Sequence, residues 1–129
     1  MKTKDELNNL SGNILDAAIS VHREMGPGLL ESVYQHCLVS ELVTRGLLVS
    51  TLVNVPLRYK GFSLNKEYII DMLVEDEIIL ELKSAEGLMP VHQAQLISYL
   101  KLADKRLGFL INFNVPVLKD GFKRYVNNL

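Results

Sequence analysis

The sequence predicts one mixed α/β domain in which a sheet carries helices on both faces. Two β-branched apolar runs lie on either side of an acidic triplet at residues 75–77, a pattern typical of a β-hairpin. Two stretches with helical periodicity precede this hairpin, and a third follows it before a last apolar run. A helix that links two strands of one sheet is most simply a right-handed crossover between parallel neighbours, so we expect a mixed sheet.

Size and composition fit a single globular domain over residues 1–129. The hydrophobic fraction of 48% is ordinary, and no apolar run is long enough to span a bilayer. Residues 1–6 lack the apolar core of a signal peptide, so we expect a cytoplasmic protein with no membrane partner. The single cysteine, Cys37, cannot form an internal disulfide and is interpreted as a packing residue.

The net charge of −1 provides no global attraction to nucleic acid, which counts against a tight nonspecific DNA-binding protein. Three local groups of basic residues remain, and each is more often a solvated face than a phosphate contact. These groups are Arg58 with Lys60 and Lys66, Lys101 with Lys105 and Arg106, and Lys119 with Lys123 and Arg124.

The first helix is predicted to begin at Ser11 as its N-cap and to end at Gly26-Pro27-Gly28. His22 lies beside the apolar stripe of this helix, and a structural hydrogen bond is favoured over a site role for it. The predicted stripe consists of Ile14, Ala18, Val21 and Met25.

The second helix is predicted over residues 30–45, with Gly46 as its stop. Glu31 falls in its first turn, where the helix dipole favours a carboxylate. Tyr34 follows three residues later on the same side, so a shared role of the two side chains is allowed by geometry. The predicted buried stripe consists of Val33, Cys37, Leu38 and Leu42.

Residues 47–55 are predicted to form a strand, and Pro56 limits its continuation to an edge or a bulge. Residues 57–64 follow as a hairpin or a bent meander around a turn at Lys60-Gly61. After the central hairpin, Pro90 suits the first turn of a third helix. The stripe of that helix is Leu96, Tyr99, Leu100 and Ala103. The last predicted elements are an apolar strand over residues 106–113 and a tail, residues 121–126, that adds a short strand or lies over an edge.

The register of the central hairpin brings charged residues together. With residues 75–77 as the loop, Val74 lies opposite Ile78 and Asp71 opposite Glu81. Strand side chains alternate, so Lys83 shares the face of the two carboxylates. The opposite face is predicted to contain Ile70, Met72, Val74, Ile78, Leu80 and Leu82. Two carboxylates and one amine therefore interrupt an otherwise apolar surface.

Charged groups on a buried strand face are costly unless they pair or bind a metal. In one interpretation, Lys83 forms a partly buried ion pair with Glu81 or Asp71, and the three residues are structural. In the other, the two carboxylates are hard oxygen ligands for Mg²⁺ or Mn²⁺, and the amine lies beside the ion. The pattern alone leaves both interpretations open.

Several segments together are similar to a known family. Asp71, followed on the next strand by Glu81-Leu82-Lys83, resembles the signature of the PD-(D/E)XK nuclease superfamily, with Ile70 where that signature has Pro. Residues 28–34, Gly-Leu-Leu-Glu-Ser-Val-Tyr, resemble the name-giving segment of the bacterial GxxExxY family of this superfamily. The spacing from Gln95 to Tyr99 is similar to a helical element of nucleases of the RecB type.

The resemblance implies a restriction-endonuclease-like fold, a mixed sheet flanked by helices on both faces. It implies that Asp71 and Glu81 are metal ligands for Mg²⁺ or Mn²⁺, with the Leu82 carbonyl as a third ligand. Lys83 would orient the attacking water and stabilise transition-state charge. Two further residues complete the implied site, Glu31 as an auxiliary acid and Gln95 as a holder of the site or of the scissile strand. Accessory positions are Tyr34, His92 and Tyr99.

Two functions of different classes stay open. The complete set of Asp71, Glu81, Lys83 and Glu31 favours a metal-dependent nuclease that acts on DNA, or less readily on RNA. Small size and near-neutral charge favour a noncatalytic nucleic-acid-binding or protein-assembly module on the same fold. No DNA-reading module is recognisable, so specificity is expected from a homodimer or from a protein partner.

Overall fold

The computed structural model describes residues 1–129 as a five-stranded sheet with helices on both faces. The predicted α/β class and the flanking helices are confirmed. None of the helices is both long enough and apolar enough to cross a membrane. The helices are α1 Lys4–Met25, α2 Glu31–Thr44 and α3 Pro90–Leu102, the strands are β1 Val49–Tyr59, β2 Phe62–Val74, β3 Ile78–Lys83, β4 Leu107–Asn112 and β5 Phe122–Val126, and a 3₁₀ turn covers Leu118–Gly121.

The strands lie side by side in chain order, from β1 at one edge to β5 at the other. Neighbours are antiparallel except for β3 and β4, which are parallel. Helix α3 connects these two strands, so the prediction of a helical crossover between parallel neighbours is confirmed. It packs close to the sheet at Gly108, where an added Cβ would lie 3.0 Å from a methyl group of Leu96 and 3.2 Å from the Ile79 carbonyl oxygen. The tail forms the short strand β5.

Two hydrophobic cores lie on opposite faces of the sheet. The larger core joins α1 and α2 to the even-numbered residues of β3, and the smaller core joins α3 to Ile79, Leu73 and Leu110. The predicted alternation fails at Ile70, which packs in the smaller core. The failure coincides with an irregular backbone, because Leu52 of the adjacent strand has a left-handed φ of 50°.

The N-cap of helix α1 lies eight residues before the predicted N-cap, Ser11. Thr3 is the N-cap, and its hydroxyl accepts from the Glu6 amide while the Glu6 carboxylate accepts from the Thr3 amide. Ser11 is buried inside the helix, and its hydroxyl donates to the Leu7 carbonyl at 2.8 Å. A serine can satisfy its hydroxyl in this way within a helix, so its presence alone does not mark a helix start.

Helix α2 agrees with its predicted range to within one residue at each end. Its buried stripe is Tyr34, Leu38 and Leu42, while Cys37 borders this stripe and packs against the larger core, as predicted. Strand β1 continues through Pro56 at the sheet edge, with a register shift between Pro56 and Arg58, so the predicted bulge is confirmed.

Candidate active site

The candidate site lies where two neighbouring strands separate. Strand β2 pairs with β3 over three residues, from Val74 opposite Ile78 to Met72 opposite Leu80. Strand β3 continues beside β4 as far as Lys83, but β2 leaves it at Asp71. Asp71 and Glu81 are the next residues in the predicted register, so their side chains stand at the opening of the sheet.

Side chains replace the missing backbone ladder at this point. The Asp71 amide donates to a carboxylate oxygen of Glu81 at 3.1 Å, and the Leu82 amide donates to a carboxylate oxygen of Asp71 at 3.0 Å. Each carboxylate therefore accepts a hydrogen bond from the other strand. This exchange fixes the two acidic groups next to each other, as the hairpin register predicted.

Burial strongly shifts the pKa of the Glu81 carboxyl group. Its side chain belongs to the few buried polar groups, with 7% of its surface exposed. Loss of hydration, followed by repulsion from Asp71, raises the pKa of Glu81 from 4.5 to about 8, and the nearby Lys83 opposes this rise. Two carboxylates held this close without a cation favour protonation of one of them.

Lys83 follows at the end of β3 and is half-buried. It takes part in none of the four ion pairs of the chain, all of which lie elsewhere. The structural interpretation, in which Lys83 pairs with Glu81 or Asp71, is therefore wrong at a limit of 4.0 Å between nitrogen and oxygen. An amine that neutralised a buried carboxylate directly would lie within this distance.

Glu31 comes to the same edge of the sheet from α2. Its carboxylate accepts from the amide of Ser84, the residue after Lys83, at 3.3 Å, and the Ser84 hydroxyl donates to the Leu29 carbonyl. Glu31, Ser84 and neighbouring loop residues line an open cleft of about 370 Å³ that does not include Asp71 or Glu81. Glu31 thus lies beside the end of β3, next to the residue that follows Lys83.

Helix α3 brings one aromatic residue to the carboxylates. Tyr99 is half-buried, and its pKa is raised by loss of hydration and then by the charges of Glu81 and Asp71. Its ring also packs edge-on against Tyr68 of β2 at a centroid distance of 5.0 Å. Gln95 lies one turn earlier and is exposed. His92 accepts from the Met89 amide at 3.1 Å, so it caps the start of the helix.

Tyr34 and His22 make hydrogen bonds and packing contacts that stabilise the fold. The Tyr34 ring is fully buried and stacks on Phe113 at 4.4 Å, while its hydroxyl donates to the Gly26 carbonyl and accepts from the Leu29 amide. His22 bonds the Val115 carbonyl through Nε2 at 2.8 Å, as the structural interpretation predicted. Tyr34 therefore holds the loop before Glu31 and does not contact the carboxylate pair.

Asn112, which was not among the predicted site residues, is buried at the end of β4 beside Lys83. Its side-chain oxygen accepts from the amides of Ala85 and Asn114, and its side-chain nitrogen donates to the Ala85 carbonyl. Asn112 thereby fixes the turn that follows Lys83. A signal for it was present, since a lone amide interrupts the apolar run of residues 109–113.

The donor set suits a hard divalent cation. No group of three histidine, cysteine or acidic side chains is arranged to hold a metal. The candidate metal ligands are therefore the two carboxylates of Asp71 and Glu81. Mg²⁺ is commonly held by one or two carboxylates and completes its shell with water. A cation between Asp71 and Glu81 would also offset the repulsion that raises the pKa of Glu81. The largest cavity, about 600 Å³, lies between α1 and α2 and contains none of the predicted site residues.

Comparison with protein families matches residues 8–125 to the PD-(D/E)XK nuclease superfamily. This match covers most of the chain, and the chain therefore belongs to that superfamily. Its five-stranded mixed sheet and three helices agree with the restriction-endonuclease-like fold. No curated protein and no solved structure matches the chain. Members of this superfamily act on nucleic acid, and they generally use divalent metals.

Proposed function

We propose that this protein is a divalent-metal-dependent nuclease that hydrolyses phosphodiester bonds, with DNA as the favoured substrate. The observation that carries the proposal is the buried Glu81 carboxylate beside Asp71, at the point where β2 leaves β3. A buried acid with a raised pKa and no neutralising partner is costly to stability, and such groups concentrate at functional sites.

Asp71 and Glu81 are the proposed ligands of Mg²⁺ or Mn²⁺, with the Leu82 carbonyl as a third oxygen. When held by these residues, such an ion would supply a lowered pKa of water and an offset for the charge that develops on the phosphoryl group. Lys83, free of ion pairs, is proposed to orient the attacking water and to stabilise charge on the phosphoryl oxygens. Tyr99 of α3 lies close enough to both carboxylates for their charges to raise its pKa, and we propose that it borders the site on that side.

Within the superfamily, we assign the chain to the GxxExxY family. The motif residues lie in the loop that precedes α2 and in the first turn of that helix, and each makes a different contact. Gly28 has a φ of 91°, which a glycine adopts without strain. Tyr34 holds the loop through its hydroxyl, and Glu31 accepts from the Ser84 amide after Lys83. We propose that the motif fixes this loop against the end of β3, with Glu31 as an auxiliary acid there.

A noncatalytic binding module is the second candidate. The observation that favours it is the small acidic set, since the Glu31 carboxylate accepts from the Ser84 amide and Gln95 is exposed. Such a module would bind nucleic acid or a protein through the same fold without turnover. It predicts the same affinity for nucleic acid with and without a divalent cation.

The deciding experiment incubates the purified chain with single- and double-stranded DNA and RNA in the presence of Mg²⁺ or Mn²⁺. We expect cleavage that requires the metal and is lost in Asp71→Asn and in Lys83→Met. Lys119→Met, at an exposed position away from the site, is the matched control and should cleave as the wild type does. Absence of metal-dependent cleavage with every substrate would defeat the nuclease proposal.

A further inference from the structure

Strands β1 and β2 continue beyond the hydrophobic cores as a projecting hairpin. Every residue from 61 to 69 is exposed, and on the partner strand Pro56, Arg58 and Tyr59 are exposed as well. A strand that is exposed on both faces has left the body of the sheet. We call residues 56–67 the arm. At about 3.3 Å per residue, its β2 half extends roughly 15 Å beyond the core.

The arm is basic in a chain that is slightly acidic overall. Arg58, Lys60 and Lys66 are exposed and belong to no ion pair, and Glu67 is the one acidic residue of the arm. By contrast, another basic group of the chain is largely occupied, because Lys105 pairs with Asp76 at 3.2 Å and its neighbour Arg106 also pairs with an acid of that loop. The cations of the arm are available to an anionic partner.

The tip of the arm also exposes two aromatic rings. Tyr59 and Phe62 are 60% and 71% exposed, and they are opposite each other in the hairpin register, so both rings share one face. The ammonium of Lys60 lies 5.4 Å from the centre of the Tyr59 ring. Large aromatic residues are normally buried, and their exposure beside cations suits a partner with both charge and flat rings.

A second copy of the chain suits the arm poorly. The outer strand β1 contains Pro56 and a register shift, and Leu52 has a left-handed backbone, all of which hinder strand pairing at an edge. Contact between two arms would also place the three cations of one arm next to the three cations of the other, and like charges repel. Unpaired nucleotides satisfy both features, because they present phosphates to cations and open bases to aromatic rings. Duplex DNA keeps its bases stacked inside and offers only the phosphates.

The arm leads to the candidate site. Strand β2 is antiparallel to β3, so it projects past the end of β3 at which Lys83 and Ser84 lie. Tyr68, at the base of the arm, packs on Tyr99, which lies beside the carboxylates. A strand held along the arm would therefore arrive at the opening between β2 and β3.

We propose that the arm is a binding platform for single-stranded DNA that guides the strand to the carboxylate pair. The choice of DNA rests on the proposed function. The cations neutralise phosphates, while Tyr59 and Phe62 stack on bases. This division of tasks predicts different defects for the two kinds of arm variant.

The test measures fluorescence anisotropy of a labelled single-stranded DNA 15-mer, titrated with the full chain in a metal chelator so that cleavage cannot occur. The triple variant Arg58→Ala, Lys60→Ala, Lys66→Ala should bind at least about 10-fold more weakly, and its slope of log affinity against log salt should fall by about 2. Tyr59→Ser with Phe62→Ser should also lose about 10-fold while the salt slope stays unchanged.

Each variant has a matched control. Lys119→Ala, Lys123→Ala, Arg124→Ala removes the same charge from exposed positions near the other edge of the sheet. Val117→Ser with Val126→Ser removes two exposed apolar side chains there. Both control variants should bind within about twofold of the wild type, as expected for surface changes outside a binding site.

Several results would overturn the proposal. Equal weakening by the two triple variants would mean nonspecific charge attraction. Equal or tighter binding of duplex DNA or of single-stranded RNA would contradict the assigned partner, and sedimentation of a dimer that Tyr59→Ser with Phe62→Ser dissolves would assign the arm to self-association. Because binding is measured without metal, failure of cleavage leaves this test intact. If the wild type cleaves DNA and both arm variants bind it normally, the role of the arm is refuted and the nuclease proposal stands.

Discussion

Strand β3 presents two very different faces. One face packs under α1 and α2 in the larger core, and the other faces α3 and carries the charged residues. The first set is Ile78, Leu80 and Leu82, and the second is Ile79, Glu81 and Lys83. Within six residues, alternation separates side chains that stabilise the fold from side chains that cost stability. The sheet can therefore carry a buried acid on one face because β3 is fully apolar on the other.

The largest expected effect concerns activity on the charged face. Lys83→Met should reduce metal-dependent cleavage by about 100-fold or more, because it removes the charge proposed to stabilise the transition state. The free energy of unfolding should hold or rise, since a half-buried amine without an ion pair is replaced by an apolar chain. Single-turnover cleavage and urea unfolding measure the two quantities. Loss of stability together with normal cleavage would reverse the assignment.

The next effect concerns stability on the apolar face. Leu80→Ala should lower the free energy of unfolding by about 3 kcal/mol, because it leaves a cavity between the sheet and two helices. Ile79→Ala, an equally buried position under α3, should cost roughly 1 kcal/mol less, since the smaller core can relax toward the opening. Chemical unfolding at one pH compares them. A larger loss for Ile79→Ala would contradict the division between the faces.

A third prediction concerns the pH dependence of the metal-free chain. Glu81 has a pKa of about 8 in the fold and 4.5 as its ordinary value, so the folded chain keeps a proton that the unfolded chain releases. The contribution of Glu81 to stability is therefore fully present below about pH 4.5 and declines as pH rises to about 8, by up to about 1.4 kcal/mol per pH unit.

Glu81→Gln should remove this decline, while Glu86→Gln, at an exposed position, should retain it. The measurement is urea unfolding of the metal-free proteins at several pH values. A wild-type stability that rises between pH 5 and pH 8, or an identical decline in both variants, would show that Glu81 is not the responsible group.

The smallest effect is expected for Asp71→Asn without metal. The substitution removes the charge that repels Glu81, and an asparagine oxygen can still accept from the Leu82 amide. Its melting temperature should therefore be no lower than that of the wild type. Asp16→Asn is the matched control, because it breaks an exposed ion pair with Arg45 and should cost about 1 kcal/mol at most. A marked drop for Asp71→Asn would mean that its charge is structural.

Much of the fold follows from local patterns in the sequence. The hairpin register predicted Asp71 next to Glu81, because the pairing depends on the loop at residues 75–77, and the hydrogen bonds between the two segments agree with it. The α3 crossover followed from the order of elements. The start of α1 was mistaken although Thr3 and Glu6 form a capping box, because Ser11 stands at the more obvious beginning of the apolar stripe.

Other features depend on tertiary contacts that no local pattern contains. Ile70 packs in the smaller core instead of the predicted larger one, at a backbone irregularity. The arm can be recognised only when the cores are known to end near Val55. The sequence could not reveal that the Glu31 carboxylate accepts a hydrogen bond from the Ser84 amide, because the two residues belong to distant parts of the chain. Asn112 was missed because its two bonds with Ala85 join it to the turn after β3, on another part of the chain.

The proposed function depends on a divalent cation that Asp71 and Glu81 bind together. The sharpest test of this shared site is anomalous X-ray scattering from crystals soaked in Mn²⁺, for the wild type and for Asp71→Asn. A shared site predicts one strong peak between the two carboxylates in the wild type and its loss in the variant. A wild-type map with no peak at the opening between β2 and β3, or with a peak only in the cleft of Glu31, would contradict it.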